Sequence, residues 1–459
     1  MDYNKFLEGK EIKSSSCGFN IDDKVINKYM FDFQRDILKW SLKKGKAALF
    51  LDCGLGKSLI QLEWAKHVHE HTKGDILILA PLAVSKQTQR EGVKFGIEVN
   101  ICREQKDVKD GINITNYEML EHFQADKFSG IVLDESSILK NYSGTIRNQI
   151  IDTFKNTPYK LACTATPSPN DYMELGNHSE FLDVMKRSSM LATFFTHDGS
   201  DTANWILRGY AEQKFWQWLS GWAVVVKNPS DLGYDGKNFK LPKLNTQTHF
   251  VDSKNLDGYL IPMGANTLDE RRDARKSSVD ERVNKCIEII GKSKEQWLIW
   301  CDYNTEGDLA EKLIAESVQV SGSDTDDHKE NTMMGFSDGK VRKLVTKAKI
   351  AGFGMNWQNC HNVIFLGLSD SYEKYYQAVR RCWRFGQKHE VNIHIVLSDK
   401  EMTVLNNIIR KEKDAENMSI NMLEHTKNFN KEELRDKDKF KDIREYKTKT
   451  ILPDWLKIA

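Results

Sequence analysis

The stretch from Leu49 to Gln61, LFLDCGLGKSLIQ, constrains this chain more than any other. An apolar run meets two glycines, a lysine and a serine, and a helical pattern follows, with Ile60, Trp64 and Val68 at i, i+4 and i+8. A run apolar on both faces suits a strand buried in a parallel sheet, so a strand–turn–helix unit is expected. Glycines let backbone N–H groups approach phosphate oxygens, a lysine reaches the outer phosphates, and a hydroxyl holds magnesium. Gly54, Gly56, Lys57 and Ser58 supply these parts, and the helix turns its N-terminal dipole to the anion. Leu51 stands where the full Gly-X4-Gly-Lys-Ser pattern has its first glycine. Alone, the stretch fits either a phosphate cradle or a tight turn with an incidental lysine.

The rhythm around it sets the fold class. AALFLD, DILILAP, INITNY, IVLDE and YKLACTAT alternate with segments long enough for crossover helices. A segment rich in Trp and Phe then breaks the pattern, and NPSDLGYDGKNFKLPKL reads as a loop. Beyond it EQWLIWC, SVQVSG, RKLVTKA, NVIFLG and VNIHIVLS resume the alternation. Two α/β units with parallel sheets and a helical insert between them are expected. The divisions are an N-terminal extension (1–30), a first core (31–170), a helical insert and linker (171–241), a second domain (242–410) and a charged tail (411–459). The tail reads as a solvated helix or a loose extension.

The bulk numbers exclude several classes. No apolar run in the 459 residues approaches the ~20 that a membrane span needs, and MDYNKFLEGKEIK lacks the apolar core of a signal peptide. Eight cysteines include no Cys-X-X-Cys pair, which argues against a zinc ribbon or a disulfide framework. A cytoplasmic setting is expected. With a net charge of +1, a nucleic-acid site would have to be a local stripe of charge.

A second acidic signal answers the first. IVLDESS puts Asp134 and Glu135 at the end of an apolar strand, where one carboxylate can hold magnesium and its neighbour can orient or deprotonate water. Cradle and strand-end acids together specify a nucleoside triphosphatase.

The order of motifs from about Phe31 to Asp399 resembles helicase superfamily two, most closely the SWI/SNF-type translocase ATPases and their compact phage and prophage members. FDFQRD, GLGKS, LDESS, CTATPSPND and the run ending QAVRRCWRFGQ carry the likeness. It implies two RecA-like domains, ATP and Mg2+ as ligands, and a bacterial host cell. It also implies Gln34 as adenine reader, Gly354 at the nucleotide, Ser58 and Asp134 at magnesium, and Glu135 activating water. Arg381 and Arg384 would stabilise the transition state; three apart, they would share one face of a helix. Arg380 and Trp383 depart from the family, which carries Asp and His there, and Ser136-Ser137 replace Ala-His.

By the same resemblance nucleic acid would lie along Ser85, Lys86, Asn116, Tyr117 and Lys140 in the first domain. In the second it would lie along Lys347, Lys349, Asn356 and Trp357. Such phosphate contacts carry no sequence information. Duplex or forked DNA is the expected partner, alongside phage or bacterial DNA-processing proteins, with no membrane. An RNA helicase is one alternative, and a nucleotide-gated recruitment subunit for a nuclease or methyltransferase is another. His67 and His71, at i and i+4, suit a helix C-terminus better than a metal. Phe215, Trp218 and Trp222 read as core packing before a junction wedge. Cys53 inside the cradle reads as a small filler.

Overall fold

The computed structural model describes residues 16–81, 84–140, 144–168, 171–197, 205–252, 275–351 and 355–435. Two parallel sheets organise them, as the alternating apolar runs require. The first contains β1 (Lys46–Leu51), β2 (Asp75–Ala80), β3 (Asn100–Ile101), β4 (Ile112–Asn116), β5 (Phe128–Asp134) and β6 (Tyr159–Thr164). A hairpin, β7 (Phe195–His197) with β8 (Trp205–Leu207), stands apart from it, and β9 (Ala223–Val226) completes it in the order β3-β4-β2-β5-β6-β1-β9. The second contains β10 (Leu244–Val251), β11 (Trp297–Cys301), β12 (Ser317–Val320), β13 (Lys343–Lys347), β14 (Asn362–Leu366) and β15 (Val391–Ser398), ordered β10-β15-β14-β11-β13-β12.

Side-chain alternation splits each sheet between two cores. In β1, Ala47, Leu49 and Leu51 face Ile60, Trp64 and Val68 of the helix Lys57–Thr72. Ala48 and Phe50 face the opposite way, towards Phe215, Trp216, Trp218 and Trp222. The aromatic stripe of the insert is therefore core: Phe215 and Trp222 are fully buried. The insert is also more than helical, because its AVVV run becomes β9 and pairs with β1 along the first sheet's edge.

Residues 411–435 of the charged stretch form no loose extension: they lie in the helix Met402–Arg435, and the rest of the stretch lies outside the described residues. Val404, Leu405 and Ile408 anchor its start in the second domain, whereas Met422 enters a first-domain core. His425 stacks on Trp216 with ring centroids 5.4 Å apart, Trp40 Nε1 donates to Glu433 at 3.4 Å, and Lys44 pairs with Glu433 at 3.2 Å. The carboxamide of buried Asn430 lies against β9, within 3.3 Å of Ala223 O and 3.1 Å of Val225 N. Met422, Thr426 and Asn430 are the buried stripe, spaced by four as a helix demands; the charges fill the other face. No helix among the described residues is long and apolar enough to cross a membrane.

Candidate nucleotide site and nucleic-acid path

Sheet order and register bring the motifs together. β5, β6 and β1 are adjacent, with Asp134 opposite Cys163 and Thr164 opposite Phe50. The acidic motif LDESS, the start of CTATPSPND and the cradle thus share one edge, at the carboxyl ends of the strands, where open α/β sheets bind ligands.

The cradle follows β1. Gly54 and Gly56 have φ of +87° and +79°, values that L side chains rarely adopt, and Gly56 caps the helix Lys57–Thr72. Lys57 Nζ donates to Leu51 O at 2.8 Å and Asp52 O at 3.3 Å, so the ammonium lies inside the turn. Gln34 covers it: its Oε1 accepts from Phe31 N at 2.9 Å and its Nε2 donates to Leu55 O at 2.8 Å. A carboxamide has two donors and two acceptor lone pairs, which leaves one of each, the complement of an adenine edge. Ser58 is half-buried in the first turn of the helix.

At the acidic strand end, Asp134 Oδ1 accepts from Gln61 Nε2 at 2.8 Å, and Tyr117 donates its hydroxyl to Asp134 O at 2.6 Å. Glu135 has φ +55°, an uncommon conformation for a glutamate. Its Oε2 accepts from Thr164 Oγ1 at 3.4 Å. Burial raises the pKa of both carboxyls, and their mutual repulsion adds to this at Glu135 against the pull of Lys57. Beneath them His178 Nε2 meets Ser136 Oγ at 3.1 Å, and burial pushes this imidazole down to about 4. Asn177 Nδ2 donates to Leu139 O and Lys140 O at 2.8 and 3.1 Å. The segment GNHSEF is thus the support of the acidic motif.

The second domain closes over this edge. The helix Tyr372–Val379 ends before the arginines, so Arg381 and Arg384 do not share a helical face as expected. They converge from a turn instead, both donating to Met355 O, at 3.2 and 3.3 Å. Burial, then the adjacent Arg381, pushes Arg384 down to about 10. Burial also lowers Arg381, against the opposing fields of Cys53, Glu135 and Asp134 across the cleft. Of Arg380, Arg381 and Arg384, the one that crosses directly is Arg380, which pairs with Asp52 Oδ1 at 2.8 Å. Tyr376 donates to the same oxygen, also at 2.8 Å. Asp52, Tyr376 and Arg380 have no linear signature that joins them; the departure of Arg380 from the family pattern was the only hint.

Residues 281–386 match the family model of the helicase conserved C-terminal domain. No curated protein matches the chain. Among solved structures it is similar to the Sulfolobus solfataricus SWI2/SNF2 ATPase core in complex with dsDNA, at 16% identity over 91% of this chain and 99% of that one, with a TM-score of 0.41.

The residues expected along a nucleic-acid path divide into three groups. Trp357 is a correction: it is fully buried between Trp300 and Phe336 and packs the second core. Tyr117 is likewise buried, with its hydroxyl committed to the acidic strand end, and Ser85 is nearly buried. A second group spans the cleft: Lys86 pairs with Glu330, Lys140 with Glu373, and Asn356 Nδ2 donates to Glu91 Oε1 at 3.3 Å. Lys140 also lines a cavity of about 450 Å³ with Ser369, Glu373, Lys374 and Lys411. The third group is more open. Lys347 bonds Asn304 within its own domain, Lys349 is exposed, and Asn116 is half-buried with an unpartnered Oδ1. Gly354 lies outside the described residues. His67 is held between Glu63 and Glu70, both at 3.2 Å, and His71 stacks on Phe19, so neither faces an open coordination site.

Proposed function

We propose that this protein is a nucleic-acid-stimulated ATPase that moves along duplex DNA without reading its sequence. The observation that carries this reading is charge left uncompensated on both sides of one cleft. Arg381 and Arg384 are held together at a cost to their ionisation, facing a glycine cradle with a lysine and two carboxyls whose ionisation burial disfavours. A polyphosphate would neutralise the arginines, and a divalent cation would relieve the carboxyls.

The roles follow from this chain's own groups. Lys57 leaves its carbonyl partners for phosphate oxygens, and Gln34 offers its remaining donor and acceptor to adenine. Ser58 and Asp134 would hold magnesium, which when bound supplies neutralising charge at the phosphates. Glu135, whose pKa burial raises, takes a proton from the attacking water. Arg381 and Arg384 stabilise charge on the transferring phosphoryl group, a role worth roughly 10³–10⁵ in rate. Because these groups come from two domains, turnover requires closure. The resemblance of the motifs to the compact phage and prophage members favours a phage or bacterial translocase.

The deciding measurement is the ATPase rate without polymer, then with single-stranded DNA, duplex, fork and RNA. Stimulation by duplex is the expected result. Stimulation by RNA alone would assign the RNA helicase reading, and no hydrolysis with any polymer would remove the enzyme reading altogether.

A further inference from the structure

The two departures in the last motif, Arg380 and Trp383, form one device. Arg380 is 4% exposed, yet its polar partners belong to the other domain: Nη2 pairs with Asp52 Oδ1 at 2.8 Å and donates to Cys53 O at 3.0 Å. Its guanidinium lies over the rings of Trp383 and Tyr376, 5.1 and 5.7 Å from their centroids. Trp383 is pinned in turn, its Nε1 donating to Pro242 O at 2.7 Å. Asp52 Oδ1 thus pairs with Arg380 and accepts from Tyr376 and, at 2.6 Å, from Cys53 N.

That oxygen sits where β1 turns into the cradle. The backbone carbonyl of Asp52 is one of the two that hold Lys57, so any shift of Asp52 moves the anchor of the ammonium. Phe385 continues the contact along the same turn: a Cβ added at Gly54 would lie 2.8 Å from both Cβ and N of Phe385. An acid at position 380 would face Asp52 in a buried gap, like charge against like. An arginine stacked on an indole meets a carboxylate there instead.

We propose that Arg380, clasped by Trp383 and Tyr376, is a positioning residue that shapes the phosphate cradle from the second domain by holding Asp52. This rests on the ATPase reading for its enzymatic consequence, though not for the contact itself. It acts through Asp52 and the Cys53 backbone, apart from the transition-state arginines. Cradle geometry and domain docking are then a single equilibrium.

Two measurements test it. In stimulated hydrolysis, Arg380→Ala should raise KM for ATP on the order of tenfold to a hundredfold while changing kcat much less. Asp52→Asn should do the same, and the double variant should be no worse than the worse single one. Trp383→Phe should retain most of the wild-type KM, and Trp383→Ala should not. A kcat loss of about 10³ at unchanged KM would make Arg380 a transition-state arginine, and additive effects of Arg380→Ala and Asp52→Asn would dissolve the coupling; either overturns the proposal. The second readout needs no hydrolysis. Cys17 is the exposed thiol, Cys53 is half-buried, and the other six are buried. In a Cys17→Ser background, Cys53 should react with a thiol reagent about tenfold faster once Arg380→Ala undocks the second domain. An unchanged labelling rate overturns the clasp whether or not the protein proves to be an ATPase.

Discussion

The carboxyl ends of the two sheets handle buried charge in opposite ways. In the second domain Glu306 is fully buried and bonded to two arginines, Arg275 Nε and Arg282 Nη1, each 2.8 Å from Oε1. Arg275 also meets Asp302 at 3.2 Å and Leu368 O at 3.1 Å. Burial would raise Glu306, but the two cations overcome it and hold the carboxyl below its ordinary range. In the first domain burial is again the leading influence on Asp134 and Glu135, yet among the described residues no buried cation is bonded to either, and both stay raised. One strand edge has paired its buried carboxylate with cations of its own. The other has not, which is the pattern the proposed nucleotide site calls for. Fold symmetry therefore says little about where chemistry resides; compensation of charge says more.

Substitutions at the two glutamates should break this contrast most sharply. Glu135→Gln should lower stimulated hydrolysis by about 10²–10⁴-fold with urea stability unchanged or higher, because a neutral amide removes a carboxyl whose ionisation burial disfavours. Hydrolysis that survives Glu135→Gln would end the base assignment. Glu306→Gln should do the reverse, costing roughly 3–5 kcal/mol of unfolding free energy, because Arg275 and Arg282 would remain buried without their anion. A marginal change in the urea midpoint would show that the network is not structural.

The same edge offers a pH test of its support. His178 has a folded pKa of about 4 against an ordinary 6.5, so the unfolded state takes up the proton first as pH falls. The stability from its neutral burial is complete above about 6.5 and is lost as pH falls from there towards 4. The loss should reach at most about 3 kcal/mol. His178→Asn should flatten thermal stability across that window, and an unaltered pH profile would exclude His178 as its source. The smallest effect is expected at Lys349. Unlike the inward arginines of its domain it is exposed, and Lys349→Ala should reduce the slope of log K for DNA against log salt by about 0.9. No change in slope would remove it from the path.

Much of the sheet architecture was legible because the central strands are apolar on both faces: LFL, ILIL, IVL and VIFL have no other use in a chain this polar. Five strands were missed: β3, β7 and β8 are only two or three residues long, and β9 and β10 escaped for other physical reasons. β9 is four residues long and lies inside an aromatic stretch whose spacing reads as helix. β10, LNTQTHFV, is an edge strand paired only with β15 and carries the polar residues that an edge permits. At the site, the glycine turn between β1 and the helix Lys57–Thr72 could be read from the spacing of Gly54, Gly56 and Lys57. Trp357 was misjudged because an aromatic beside Asn356 in a motif loop reads as a contact surface, whereas the chain turns it into the core. Asp52 and Arg380 were invisible as a pair: 327 residues separate Cys53 from its arginine donor, and no local pattern links them.

The helix Met402–Arg435 has a consequence for the order in which the molecule is completed. Its second half covers β9 and Trp216, but it is synthesised only after every strand of both sheets. At ~5–20 residues per second on the ribosome, the first domain emerges with an uncovered sheet edge and an exposed indole, and keeps them until the second half of this helix has followed. An unpaired edge is an aggregation hazard for as long as it stays open. A nascent chain arrested near residue 410 should therefore associate with holdase chaperones where one extended past residue 435 does not.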